Sequence, residues 1–514
     1  MPRAPRRPSR RRIAAAVALA VFLTAIGVVL LLSAEEEPPL RPSGASLRLV
    51  PEGALIAVEV AADQTTPQVD DALRRLDDLP GGTALLGRLR DGLIPGGCPA
   101  VPVSAREVTV ALVRVRDGGP AAPLVLVERG GRRTDAGPVR RCGGRTVQRL
   151  GRFLAIGPAT VVRQARALLG VPGARGSLAA LPLQRRLVDG LPRNRLATAW
   201  LSPDGVRRVL ATRGRGAATI AAALDRPVLG GIAIGATPTG DGARLVVRTD
   251  TAPNGSRPFS ATTPVLAPSG AVGTILTTDP LATTSRVLDA IAASRGEGPE
   301  DVAALLSSVV ERIDVRTGGR VRRDVVGAQR SPSEVVLTPG PDAEGRATGP
   351  DSRGLAVTVV VPVTDGRRAA SALAGLRPRL ARALGDRRVD VRRVAGRRSW
   401  ALRLPGGGGA GYLVDGDRVV VYTSRAGAEA VLAGGPRLTD RVDWDRDDGR
   451  TPNVAMSIGF LDFSLLLRVA APPAGSLSSA DRALLDGLRR VRSASLRSRT
   501  DGREDTLDVD LRIP

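Results

Sequence analysis

The sequence predicts an α+β protein with an N-terminal transmembrane helix, followed by two tandem, duplicated modules of mainly antiparallel sheet with packed helices. Three observations support this fold class. A long uncharged segment lies near the start of the chain, similar segments recur in the same order in both halves, and strand-like segments alternate with a few helical ones. Strands that end in hairpins favour antiparallel pairing.

The uncharged segment covers residues 13–34 and follows six arginines. About 22 residues at about 1.5 Å each reach roughly 33 Å, which is enough to cross a hydrocarbon core of about 30 Å. A cleaved signal peptide is the alternative, but Leu32 stands where its cleavage site needs a small residue. The segment follows an arginine-rich tail, residues 1–12, and precedes the glutamates 35–37. This charge difference predicts a cytoplasmic N-terminus and places the chain from residue 35 onward outside the cytoplasm. The predicted location is therefore the cell membrane, as a single-pass protein of the cell envelope.

The duplication is predicted from paired segments. Leu49–Ala54 leads into a strand as Leu266–Ala271 does, and Asn194 recurs in a similar setting as Asn453. Each half also has a strand followed by a short helix, and each ends in an apolar hairpin with an Asp-Gly turn. The predicted organisation is a tether at residues 35–45, a first module at 46–250, a linker at 251–262 and a second module at 263–514.

The charge balance is strongly basic, with 75 basic against 51 acidic residues and a net charge of +24. The basic residues are all arginine, interleaved with acidic ones, and aromatic residues make up 2% of the chain. Binding to single-stranded nucleic acid needs aromatic stacking platforms, so no nucleic-acid partner is predicted. The predicted partners are the cell membrane, through the N-terminal helix, and an envelope protein, a lipid or a wall polymer.

The two cysteines, Cys98 and Cys142, lie in segments rich in glycine and proline. Outside the cytoplasm such a pair predicts a disulfide bond, with two unpaired thiols as the alternative.

Three short segments together resemble a bacterial protein family. They are the strand start Val50–Ala54, the element Phe153–Gly157 with its following helix, and Ser177–Ala179 leading to Leu191 and Pro192. In these features the chain resembles the family called domain of unknown function 3352. The family carries no assigned activity, so the resemblance implies an envelope location and a fold type but supplies no site residues.

The composition excludes several kinds of catalytic site. Without histidine there is no Ser-His-Asp catalysis and no imidazole metal ligand, and without lysine there is no Schiff base or Ser-Lys dyad. Two cysteines cannot complete a thiolate zinc site. No catalytic, cofactor-binding or metal-binding residue is assigned and no cofactor is predicted, although a pair of carboxylates could still act as general acid and base.

Two local patterns imitate known sites. Gly406, Gly408 and Gly411 satisfy the spacing G-x-G-x-x-G, but a strand-like segment follows them, which predicts a hairpin loop instead of a dinucleotide site. Aspartates alternate in the loop Asp440–Asp448 as in a calcium loop, but the glycine comes one place late and Val454 replaces the closing glutamate. A solvated loop is the simpler interpretation, and cation binding stays open.

These observations predict a non-catalytic envelope protein with a binding or scaffold role. One alternative is a carrier or binder of a lipid or other hydrophobic ligand, which needs an apolar cavity between sheet and helices. Another is a carboxylate-based hydrolase of wall polymers, which needs two carboxylates in an exposed cleft. The oligomeric state stays open.

Overall fold

The structure, a computed structural model, covers two sheet-forming parts of the chain, here named the first copy (residues 42–251) and the second copy (residues 258–513). Within them it describes residues 42–62, 105–115, 121–129, 136–205, 229–239, 242–251, 258–280, 283–284, 322–330, 332–340, 354–383, 389–403, 409–441, 444, 454–470, 489–501 and 504–513.

The described residues of the first copy form strands β1 to β9 and two α-helices. The strands pair in the order β4, β5, β6, β3, β2, β1, β7, β8, β9, and each pair is antiparallel. The bounds are β1 Ala54–Ala61, β2 Glu107–Arg114, β3 Ala121–Glu128, β4 Arg140–Cys142, β5 Arg145–Leu150, β6 Phe153–Gly157, α1 Ala159–Ala167, α2 Pro182–Asp189, β7 Ala197–Leu201, β8 Leu229–Thr239 and β9 Gly242–Thr251.

The second copy repeats this order with one further strand. Its strands pair as β14, β15, β16, β17, β13, β12, β11, β19, β20, β21, while β10 pairs with β18 apart from them. The bounds are β10 Phe259–Ser260, β11 Gly273–Thr277, β12 Ser333–Pro339, β13 Leu355–Pro362, α3 Gly366–Ala383, β14 Asp390–Val394, β15 Arg397–Arg403, β16 Gly409–Asp415, β17 Arg418–Tyr422, α4 Arg425–Leu432, β18 Val454–Ala455, β19 Ser457–Asp462, α5 Phe463–Ala470, β20 Ser493–Asp501 and β21 Glu504–Arg512.

The residue pattern explains the main elements. Strand β1 is apolar along nearly its whole length and is buried on both faces, as expected for a central strand. Strand β2 alternates buried and partly exposed residues, the pattern of a sheet with one better-covered face. Helix α1 follows Pro158, whose carbonyl accepts the backbone N–H of Val161, and Gly170 adopts a φ of +77° just beyond the helix.

The leading segment of each copy, residues 43–53 and 265–270, is held in the same way. Pro51 forms an isolated bridge with Ser177, and Pro268 forms one with Arg437. The carbonyl of each proline accepts the N–H three residues on, at 3.0 Å in the first copy and 2.9 Å in the second. Pro51 and Pro268 therefore occupy equivalent positions in the two copies.

The last strands of the two copies pair with each other. Strands β9 and β21 are antiparallel over nine residue pairs, from Gly242 with Arg512 to Asp250 with Glu504. The two copies can be matched residue by residue from Pro51 and Pro268, strand after strand, by the observed pairings. In this matching Val246 is the equivalent of Asp508. These two residues face each other directly, so the copies are related by a pseudo-twofold axis through that pair.

Apolar side chains fill the space between the sheet and its helices. In the first copy, Leu124 and Leu126 of β3 pack in one cluster with Val161 of α1 and Leu187 of α2, each 0% exposed. In the second copy, Leu373 of α3 packs in a cluster with valines of β12, β13 and β17. The helices therefore serve as covers for the sheet.

The predicted fold class and localisation need correction. The two copies do not form separate sheets: among the described residues they share one antiparallel sheet of nineteen strands, because β9 and β21 satisfy each other's backbone groups. No helix in the described part of the chain is long and apolar enough to cross a membrane, and the longest, α3, carries arginines. The predicted transmembrane segment 13–34 and tail 1–12 lie outside the described residues. The membrane anchor and the single-pass location are therefore not supported, and the module boundaries stay predictions.

Candidate functional site

A buried carboxyl group lies in the centre of the first copy. Glu59 of β1 is 3% exposed and accepts a hydrogen bond from Ser46 Oγ at 2.8 Å, while Thr109 Oγ1 donates to the same serine at 2.6 Å. Burial, followed by the charge of Glu107, raises the pKa of Glu59 to about 8, against smaller opposing effects of Ser46 and Arg195. Glu59 is therefore protonated in the folded chain at neutral pH.

Glu107 of β2 holds the start of the same leading segment. One of its carboxylate oxygens accepts the backbone N–H of Ser43 at 2.6 Å and the Ser43 hydroxyl at 2.7 Å. Glu107 is 2% exposed. Together, Glu59 and Glu107 attach the leading segment to the first two strands of the sheet.

The second copy holds its own leading segment with a carboxylate. Glu334 of β12 accepts the backbone N–H groups of Leu266 at 2.6 Å and Ala267 at 2.9 Å, and the hydroxyl of Thr274 at 2.8 Å. Burial raises the pKa of Glu334, and these three hydrogen bonds oppose that effect.

The buried carboxyl group lies on a different strand in each copy. The strand pair β1 and β2 is equivalent to the pair β11 and β12, and the group lies on the first strand of one pair and the second strand of the other. Glu59 faces Thr109 across β1 and β2, whereas Glu334 faces Leu276 across β12 and β11. By strand register, Glu59 is the equivalent of Leu276 and Thr109 is the equivalent of Glu334. The carboxyl has moved to the neighbouring strand, yet in both copies it binds the leading segment.

The bonding of these carboxyl groups favours a structural role. Glu59 and Glu334 are at most 4% exposed and bind groups of their own chain, whereas a general acid or base must reach a substrate. The described residues contain no group of three or more acidic or cysteine side chains that could hold a metal ion. Sequence reasoning missed both glutamates, although each is the single acid of its strand.

A charged cluster lies where the two copies meet. Asp250 of β9 and Glu504 of β21 face each other, and Arg186 of α2 reaches both, at 3.0 Å and 2.8 Å. Arg248 of β9 forms a further ion pair with Glu504, whose side chain is 11% exposed. Two acids that would repel each other are therefore neutralised by two arginines.

Another ion pair at this junction, like that of Arg248 with Glu504, joins an arginine of β9 to an acid of β21. Arg244 of β9 binds Asp508 of β21 at 3.1 Å, and the Asp508 side chain is 5% exposed. In both ion pairs between the strands, β9 supplies the arginine and β21 the acid. The charge pattern thus specifies the pairing of these two strands.

The remaining residues singled out by the sequence fall in several places. Cys142 ends β4 and is not a free thiol, but Cys98 lies outside the described residues. Because Cys98 is the other cysteine of the chain and lies outside the described residues, the bonding partner of Cys142 is not described, and the Cys98–Cys142 bond stays a prediction. Trp200 lies in the apolar strand β7 and is 2% exposed, so it is a core residue.

The two patterns that imitate known sites are only partly described. Gly411 lies inside β16, a strand and not a helix start, which agrees with the hairpin interpretation, while Gly406 and Gly408 lie outside the described residues. In the loop Asp440–Asp448, Asp440 accepts the backbone N–H of Arg437 at 2.7 Å and closes a single helical turn. The other aspartates of that loop are not described, so cation binding there stays open.

Comparison with known proteins gives no family. No protein family and no curated protein matches the sequence, so the resemblance to domain of unknown function 3352 stays a prediction. Crystal form IV of TP0453 is 10% identical, with a TM-score of 0.23 over 40% of this chain and 83% of that one. The apo prenyltransferase PriB is 15% identical, with a TM-score of 0.12 over 83% of this chain and 97% of that one. TM-scores this low carry no argument about fold or function.

Proposed function

We propose that this chain is a non-catalytic scaffold that holds two copies of one sheet unit in a fixed relation for binding other molecules. The pairing of β9 with β21 carries the proposal, since nine residue pairs join the copies. An interface made by backbone pairing and partly buried ion pairs favours a rigid arrangement. Which envelope protein, lipid or wall polymer it binds stays a prediction.

The chemistry of the buried acids supports a scaffold over a hydrolase. Glu59 and Glu334 each attach a leading segment to the sheet, and neither is exposed to a cleft. The packing of Leu124 and Leu126 against Val161 favours a scaffold over a carrier, because a carrier needs an apolar cavity between sheet and helices.

The rigidity can be measured by spin labels on the two copies. Labels at Arg163→Cys on α1 and Ala426→Cys on α4 should give one narrow distance distribution by pulsed electron resonance. Arg186→Ala should broaden it, because that arginine joins α2 to the acids of both last strands. Arg185→Ala, an exposed neighbour on the same helix, is the matched control and should leave it unchanged.

Two results would overturn the proposal. A broad distance distribution in the unaltered chain would show that the copies are not held in a fixed relation. Turnover of a model ester, phosphoester or glycoside that Glu59→Gln abolishes, without loss of folding, would show that a buried acid is catalytic.

A further inference from the structure

Three arginines of the second copy gather on one face of the sheet, and none of them has an acidic partner among the described residues. Arg393 of β14 and Arg398 of β15 face each other directly, so their side chains lie about 5 Å apart at Cβ. Like charges in this position repel each other. Neither arginine forms an ion pair with any residue in the described part of the chain, and both are exposed.

The arginines on the opposite face of the same two strands behave differently. Arg392 binds Asp390 at 3.1 Å, and Arg397 binds Asp415 at 2.6 Å. The unpaired charge is therefore confined to one face and is not a general property of these strands.

The third arginine is held rigidly beside this pair by two aromatic residues. The guanidinium carbon of Arg377, on α3, lies 3.6 Å from the ring centroid of Trp400, and that of Arg398 lies 5.6 Å from it. Arg377 Nε donates to the Tyr412 hydroxyl at 2.9 Å, and that hydroxyl donates to the carbonyl of Leu373 at 3.1 Å. The rings of Trp400 and Tyr412 stack at 5.4 Å.

This packing leaves the outer end of the Arg377 side chain available. Its two terminal nitrogens form no hydrogen bond or ion pair with any described residue, whereas Nε is fixed by Tyr412. A guanidinium fixed on an aromatic ring loses little freedom when its terminal N–H groups bind an oxyanion.

We propose that Arg377, Arg393 and Arg398 form a binding site for a phosphate group. Three guanidinium groups match the double negative charge and the several acceptor oxygens of a phosphate better than the single charge of a carboxylate. The apolar side chains beside them extend the site. Val391, 55% exposed, faces Trp400, and Val421, 43% exposed, faces Tyr412. The site therefore fits a phosphate ester that carries an apolar group, and this inference goes beyond the scaffold role.

The test is calorimetric titration of the full chain at low ionic strength. The probes are inorganic phosphate, phenyl phosphate and acetate. Phosphate should bind and acetate should not, and phenyl phosphate should bind more tightly than phosphate if the apolar side chains contribute. Binding should weaken steeply as salt is added, because exposed charges are screened within about 10 Å at 0.1 M salt.

Two double variants decide between a built site and general positive charge. Arg393→Gln with Arg398→Gln should lower phosphate affinity at least about tenfold, as expected for lost hydrogen bonds between charged groups. Arg392→Gln with Arg397→Gln removes the same charge from the opposite face and should change affinity less than about twofold. Circular dichroism of both variants checks that they are folded.

Three outcomes would overturn the proposal. The first is the absence of phosphate binding at low salt, and the second is equal loss of affinity in both double variants. The third is equal binding of acetate and phosphate, which would show a site for any small anion. Equal affinities for phosphate and phenyl phosphate would support the arginine site and remove the apolar extension.

Discussion

The junction between β9 and β21 makes a quantitative prediction about Glu504. The variant Glu504→Gln removes the charge that Arg186 and Arg248 share while keeping the size of the side chain. Arg248 is 19% exposed, so loss of its charged hydrogen bond should cost about 1.5–3 kcal/mol. Arg186 is 50% exposed, so solvent screening reduces its share to about 0–1 kcal/mol. The expected loss in the free energy of unfolding is about 1.5–4 kcal/mol.

Urea unfolding followed by circular dichroism measures this loss. The matched control is Glu429→Gln on α4, where Arg425 binds Glu429 at 2.8 Å, the same distance as between Arg186 and Glu504. In that control the side chains are 57% and 38% exposed, so a loss of about 0.5 kcal/mol or less is expected. Equal losses in the two variants would refute the view that burial makes the junction acid important.

Three further predictions concern the cores of the copies. The pKa of Glu59 is raised from 4.5 to about 8. The contribution of Glu59 to the free energy of unfolding is therefore complete below about pH 4.5 and is lost as the pH rises through about 8. Glu59→Gln should make the free energy of unfolding in urea depend less on pH between about pH 5 and 9. An unchanged pH dependence would contradict the raised pKa of Glu59. Gly411→Ala would place its Cβ 2.4 Å from the Tyr422 ring, and should lower the thermal midpoint by the equivalent of about 1–3 kcal/mol. The control is Gly434→Ala, whose Cβ would meet nothing within 4 Å. Leu187→Ala, at a fully buried position, should cost about 2–5 kcal/mol in urea unfolding, and a loss under about 1 kcal/mol would contradict close packing there.

Local elements could be predicted from the sequence because their signals are local. The strand at Phe153 followed by a helix that ends before Gly170 lies where the residues predict it, and so do the two closing hairpins.

Long-range features could not be predicted in the same way. Strand β21 alternates polar and apolar residues, and β9 has polar residues on both sides of its apolar segment 245–247. Both patterns are compatible with an edge exposed to solvent, and nothing local marks each strand as the partner of the other. Glu59 and Glu334 were missed because a buried acid is recognisable only when its hydrogen-bond partners, Ser46 and the N–H of Ala267 among them, are placed in space. The predicted apolar helix rested on the length of the uncharged segment 13–34 and on its charged flanks. The described residues, which do not include that segment, contain no such helix.

The pseudo-twofold axis through Val246 and Asp508 bears on how this chain avoids pairing with itself. If two molecules joined β9 to β9 in the same register, Arg244 would face Arg248, and if they joined β21 to β21, Asp508 would face its own copy. Both arrangements set like charges opposite each other, whereas the observed pairing brings Arg244 to Asp508 and Arg248 to Glu504. Two identical chains could not divide the charges in this way, because each strand would have to carry both signs. Joining the copies in one chain therefore allows the strands to differ, and that difference disfavours exchange of strands between molecules.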